Sequence, residues 1–130
     1  MNFILNIGLD NVPADLSYTN GVLNPLTTRR ALQATQAARN HGFDIVRAKV
    51  VQSDTELTLV ILAEDNGIGQ DNRVDMLAVA LKQDCIAIWS VDQQYGQLIG
   101  PKAAAWGEFN PEFFFMLDGT RLAQPTQLAA

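Results

Sequence analysis

Cysteine and histidine occur once each in the 130 residues, as Cys85 and His41. One thiol excludes an intramolecular disulfide and any cysteine-based metal site built within a single chain, and it suits a reducing compartment. One imidazole means that a catalytic pair or triad would have to be assembled around His41. That residue stands in Asn40-His41-Gly42, at the end of a helical pattern, where helix capping accounts for it. Cys85 lies inside the apolar run CIAIW, the setting of an inert core thiol. Ser17, Ser53 and Ser90 have no nucleophile-elbow context. No catalytic or cofactor motif rises above background, so neither a cofactor nor a metal is expected.

Cations are also scarce. Nine Lys and Arg stand against fourteen Asp and Glu, a formal net charge of -5, which works against a broad phosphate-binding surface and demotes nucleic acid as a partner. The acidic residues are scattered, so their plain role is solubility. Long hydrophobic runs are missing: no stretch approaches the roughly 20 apolar residues needed to span a bilayer. The start, MNFILNIGLD, meets Asn6 and Asp10 early and lacks a basic leader, so it reads as a first strand and not a signal. No membrane partner and a cytoplasmic location are expected.

What is present suffices for one core. Hydrophobic residues make up 48% and charged residues 18% of the chain, the balance of a globular domain. A single α+β domain is expected over residues 1–119, with 120–130 a fraying tail. Asn2 to Leu9 alternates, with Phe3, Leu5 and Ile7 on one face and Asn2, Ile4 and Asn6 on the other. Residues 10–24 contain Pro13 and the Asn20-Gly21 turn signal, a flap-like hairpin or a functional loop. Asn24-Pro25 opens a helix running to Asn40, with Ala31, Ala34, Thr35 and Ala38 on one narrow face, and Gly42 ends it.

Phe43 to Val51 and Glu56 to Ala63 read as a hairpin. Val46, Ala48 and Val50 are expected to face the core with Leu57, Leu59 and Ile61, leaving Arg47, Lys49 and Thr58 on the other side. A helix from Arg73 to Gln83 and a buried strand from Cys85 to Val91 follow. The order β-α-β-β-α-β predicts a ferredoxin-like antiparallel sheet with two helices on one face. Past it come a Tyr95-Gly96 turn, the short piece Leu98-Ile99, and an additional C-terminal strand over Phe113 to Leu117.

Several features invite a chemical reading. Glu64, Asp65, Asp71 and Asp75 bracket a loop in which carboxylates could converge on a metal or act as a base. Their spacing fits no calcium loop, and Asp71, Asn72 and Asp75 suit a helix start. Gly67-Ile68-Gly69 lacks the third glycine of a dinucleotide fingerprint. On the sheet face opposite the helices, Asn6, Arg47, Lys49 and Thr58 would form a polar patch, either solvated or covered by the C-terminal segment. An RNA-binding sheet would carry exposed rings there, and Trp89 is the one candidate.

Aromatics are few, at 8%, yet WGEFNPEFFFMLDG (106–119) concentrates them. Alternation would put Phe113, Phe115 and Leu117 on one side and Phe114 and Met116 on the other, both apolar. Either Trp106 and Phe109 cover the second side, or another molecule does, which makes a homodimer the expected assembly. The leading functional expectation is a non-catalytic binding or regulatory protein acting by occupancy of a macromolecule or small ligand. Its candidate binding residues are Tyr18, Asn20, Arg47, Lys49, Trp106 and Phe109. The alternatives are a small carboxylate enzyme, metal-dependent or not, between the 10–24 and 64–75 loops, with Asp10, Glu64 or Asp65 as base or ligand, and a single-stranded nucleic-acid module using Arg47, Lys49 and Trp89.

Overall fold

A computed structural model describes residues 2–10, 18–19, 22–23, 25–52, 57–64 and 70–123. In chain order the elements are β1 (Asn2–Asp10), β2 (Tyr18–Thr19), β3 (Val22–Leu23), α1 (Pro25–Asn40), β4 (Asp44–Gln52), β5 (Leu57–Glu64), α2 (Gln70–Ala80), β6 (Ile86–Ser90), β7 (Tyr95–Ile99) and the short α3 (Ala103–Trp106), before a 3-10 turn over Pro111–Phe113. β2 and β3 pair with each other, as the Asn20-Gly21 signal suggested. The rest form one antiparallel sheet in the order β4-β5-β1-β6-β7. Among the described residues no helix is long and apolar enough to cross a membrane.

This α+β sheet has five strands and is not that of a simple ferredoxin-like domain. Its additional strand is β7, not 113–117. The turn expected at Tyr95-Gly96 lies over residues 91–94 instead. There Gln94 takes a φ of 51° and Asp92 accepts the Asn2 N–H through Oδ2 at 3.1 Å. Tyr95 and Gly96 already belong to the ladder, opposite Ser90 and Trp89.

Strand alternation divides β1 between two layers. Phe3, Leu5 and Ile7 enter a core under both helices, joined by Leu59 and Ile61 of β5. The small face Ala31, Ala34 and Ala38 lets α1 lie close to the sheet, and Val74, Leu77 and Ala78 supply the same layer from α2. α1 ends in a six-to-one turn: Phe43 N–H donates to Ala38 O at 3.1 Å and Gly42 N–H to Arg39 O at 3.0 Å. Gly42, at a φ of +91°, takes the left-handed position that such an ending requires. Arg73 of α2 donates to Gly42 O at 3.0 Å and lies over the Phe43 ring, coupling the two helices.

The opposite sheet face is covered by the chain's own C-terminal segment. Phe114 and Phe115 are both buried against Ile4, Val51 and Val60. FFFML is therefore not a strand with alternating faces. Pro111 starts a 3-10 turn whose Asn110 cap accepts from Glu112 N–H at 2.9 Å. Phe115 makes one isolated bridge to Arg121 across the Asp118-Gly119 turn, while Phe113 is turned out with 68% of its surface exposed. Leu122 N–H donates to Phe114 O at 2.7 Å and Ala123 N–H to Pro111 O at 3.2 Å, so residues 120–123, expected to begin the tail, are bonded into this layer.

Candidate functional site

β4 closes one side of the sheet, and among the described residues no strand pairs with its outer edge. Such an edge leaves alternate N–H and C=O groups turned outward, a template for a further strand. The register against β5 shifts between Ile45 and Arg47. This bulge takes Val46 out of the alternation and leaves it 53% exposed. Hence the expected core row Val46, Ala48, Val50 is only partly realised: Ile45 and Val50 pack on the helix-side core, whereas Val46 and Ala48 are exposed.

From Arg47 onward the pairing is regular. Ala48 and Val50 oppose Ile61 and Leu59, which belong to the helix-side layer, while Arg47 and Lys49 oppose Leu62 and Val60 on the other face. The basic pair thus stands two residues apart on one face, both side chains exposed, as alternation predicted.

Open grooves flank this edge on both faces. The helix-side groove, about 370 Å³, runs between α1 and β4 along Leu32, Thr35, Ala48 and Leu59, with Arg39 at its border. The other, about 430 Å³, lies between Arg47, Lys49 and the C-terminal turn, floored by Ile4, Met116 and Leu117. Asp118 borders it. The Thr120 hydroxyl and N–H, donating at 2.6 and 3.0 Å, hold the Asp118 carboxyl below the usual carboxylate range, and Lys49 acts in the same direction. Both grooves are open where a small-molecule site would enclose most of its ligand.

Trp106 and Phe109, also expected in the binding set, lie apart from this edge. Trp106 sits in α3, which packs beside β7, and its Nε1–H donates to Asp84 Oδ2 at 3.1 Å. With strands spaced at about 4.8 Å, four spacings put β7 on the order of 19 Å from β4 across the sheet. Phe109 is built into the second layer. Its ring stacks on Trp89 with centroids 5.9 Å apart and tilts against Phe114 at 5.3 Å. Asn20 lies outside the described residues, and so does the Tyr18 side chain.

The remaining chemistry is modest. Asp65, Ser17, Ser53 and the Gly67-Ile68-Gly69 stretch lie outside the described residues, as do the Asp10 and Asp71 side chains. Among the described residues no three His, Cys, Asp or Glu groups gather as metal ligands. His41 Nδ1 lies 2.8 Å from Ala37 O, in the capping position. Burial, then the charge of Asp84, pushes the Cys85 thiol up, away from the ionised form that reacts. On the sheet face that a nucleic-acid module would use, Asn6 and Thr58 are buried, the C-terminal layer packs on Ile4 and Val60, and Arg47 and Lys49 stay exposed. Sequence reasoning named Arg47 and Lys49 but not Leu32, Arg39 or the 116–118 turn, which line the same grooves, because local pattern does not reveal which strand is outermost. No protein family, curated protein or solved structure matches the chain.

Proposed function

We propose that this protein is a non-catalytic binding protein that acts by occupying a partner, and that the outer edge of β4 is its binding surface. The observation that carries the reading is the contrast between the two sides of the molecule. The chain covers its own second sheet face, yet leaves β4 exposed from Val46 to Lys49 between two open grooves. At the opposite edge, β7 is half-buried from Gly96 to Ile99 with α3 beside it.

A homodimer and a cytoplasmic setting stay part of this proposal. So does the finer fold reading: with β7 set aside, β1 lies between β5 and β6 with β4 outermost, which supports a ferredoxin-like core extended at one edge.

Selection of a random peptide library on the immobilised protein tests the function. Enriched peptides that protect β4 amides from hydrogen exchange, and that the Arg47→Ala, Lys49→Ala double variant no longer binds, agree with it. Thermal stabilisation by a divalent cation that vanishes in Asp65→Asn would replace it with the carboxylate-enzyme reading. Salt-sensitive oligonucleotide binding lost in the double variant would replace it with the nucleic-acid one.

A further inference from the structure

Which strand the β4 edge accepts is constrained by charge. A second copy of β4 related by a two-fold axis would meet the first isologously: if residue i lies opposite the counterpart of j, then j lies opposite the counterpart of i. Centred on Ala48, that pairing sets Arg47 against the counterpart of Lys49; centred on Arg47 it sets Arg47 against its own counterpart, and centred on Lys49 it does the same for Lys49. Like charges directly opposite one another in a sheet are destabilising. Together with the bulge at Val46, the basic pair therefore blocks the edge against its own kind in all three central registers, a recognised protection of free edges.

The same arrangement favours the opposite charge. Three of the nine cations of an otherwise acidic chain, Arg39, Arg47 and Lys49, border these grooves. A strand added beyond the bulge would run along Arg47 to Gln52. Its side chains alternate between the faces, so those beside Arg47 and Lys49 lie two residues apart on the C-terminal side. Those between them enter the helix-side groove of Leu32, Ala48 and Leu59. Carboxylates suit the first set and aliphatic groups the second.

On these grounds we infer that β4 receives an extended acidic segment of another protein, in which Glu or Asp alternates with aliphatic residues, by addition of a strand to its outer edge. This rests on the edge being the binding surface and adds the chemistry of the occupant. A nucleic-acid strand would satisfy the cations, but the rings it would stack on are used within the chain: Trp89 lies against Phe109, and Phe109 against Phe114.

The test uses the whole protein and three synthetic peptides of about seven residues, one strand's length: alternating Val and Glu, alternating Val and Lys, and a block sequence of the first composition. Fluorescence anisotropy measures affinity, and amide exchange by NMR locates the contact. The Val-Glu peptide is expected to bind at least about tenfold more tightly than either control, to weaken with added salt, and to slow exchange in Arg47–Gln52. Arg47→Glu with Lys49→Glu is expected to reverse the preference toward the Val-Lys peptide. These side chains are exposed, so folding should survive the swap, and circular dichroism checks it. If library-selected peptides protect β4 while showing no acidic preference, the inference fails and the edge reading stands. If no peptide protects β4, both fail. Tighter binding of oligo-dT than of the Val-Glu peptide also overturns the inference.

Discussion

Asn6 in the middle of β1 and Phe115 in the C-terminal layer exchange two hydrogen bonds. The Asn6 amide donates through Nδ2 to Phe115 O at 3.0 Å, and its Oδ1 accepts from Phe115 N–H at 2.7 Å. A side-chain amide here does what a neighbouring strand would do for Phe115. It lets a segment lying over the sheet, and not within it, satisfy its buried backbone. Asn6 is thus the polar group that fixes where the cover sits.

Replacing Asn6 by Ala should strip both bonds and leave Phe115 N–H and C=O buried without partners. Each such group costs about 1 to 3 kcal/mol, so the loss should be among the largest of any single polar substitution. Asn6→Asp keeps the acceptor but turns a carboxylate oxygen toward Phe115 O, and it should also be strongly destabilising at neutral pH. Urea denaturation gives the stabilities, and limited proteolysis should show earlier cleavage between 107 and 123. An Asn6→Ala variant within about 0.5 kcal/mol of the natural protein, the range of ordinary surface changes, would contradict this role.

Gly96 and Phe109 should prove energetically coupled. A Cβ on Gly96 would overlap the Phe109 ring, which occupies the space opposite Trp89. Gly96→Ala must therefore displace the ring, at about 1 to 3 kcal/mol for overpacking. Once Phe109→Ala has removed the ring, adding Ala at 96 should cost little. The double-mutant cycle should return a coupling of at least about 1 kcal/mol; additive effects would place the ring elsewhere in solution.

These two pairs show where the sequence was legible and where it was not. Periodicity assigned Phe3, Leu5 and Ile7 to one face and Asn6 to the other, found the small face of α1, and put Arg47 and Lys49 on the same side. Those readings need only local geometry. It failed at Phe113 to Phe115, whose aromatic run resembles a strand, because the choice of cover over sheet depends on Asn6, 109 residues away. Val46 failed for a similar reason: apolar alternation through IVRAKV reads as regular, and only pairing with β5 exposes the bulge. The edge position of β4, on which the candidate site depends, is a property of the sheet order and not of any single strand.

Lys82 offers a stabilising substitution. α2 ends as α1 does, with Gln83 N–H donating to Ala78 O at 2.8 Å and Lys82 N–H to Val79 O at 3.1 Å. Here, however, the left-handed position is held by a lysine with a φ of 57°. Holding a side chain in that region costs about 1 to 2 kcal/mol, partly offset by the greater unfolded-state freedom of glycine. Lys82→Gly should raise stability by about 1 kcal/mol and the melting temperature by a few degrees. Gly42→Ala, at a φ of +91° and against Arg73, should lower both. Calorimetry on the two variants should give opposite signs.

Acid should weaken the C-terminal turn through Asp118. Its carboxyl is held below the usual range by the Thr120 hydroxyl and N–H, with Lys49 in support. A depressed folded-state value means that the contribution is present above the unfolded value of about 3.9 and disappears as pH falls through the lower folded one. The stability difference between the natural protein and Asp118→Asn should be constant near neutrality and shrink below about pH 4. Thr120→Val should reduce the depression, readable as a shift of the Asp118 side-chain NMR resonance. A difference independent of pH down to acid unfolding would show that the carboxyl is unperturbed.

Self-association, if the proposed homodimer forms, should bypass β4, because the central symmetric pairings there oppose like charges. Nor can it use Phe114, which is 1% exposed inside the chain. Among the described residues the exposed rings are Phe113 at 68%, Trp106 at 63% and Tyr95 at 57%, and large exposed rings are the side chains that interfaces bury most profitably. Light scattering at micromolar concentration is expected to give a dimer. Trp106→Asp should shift it to monomer, since a carboxylate in the interface would be desolvated without a partner, while Arg47→Ala with Lys49→Ala should leave it unchanged. A monomeric natural protein would remove the dimer, and a dimer lost only in the double variant would move its interface to the β4 edge.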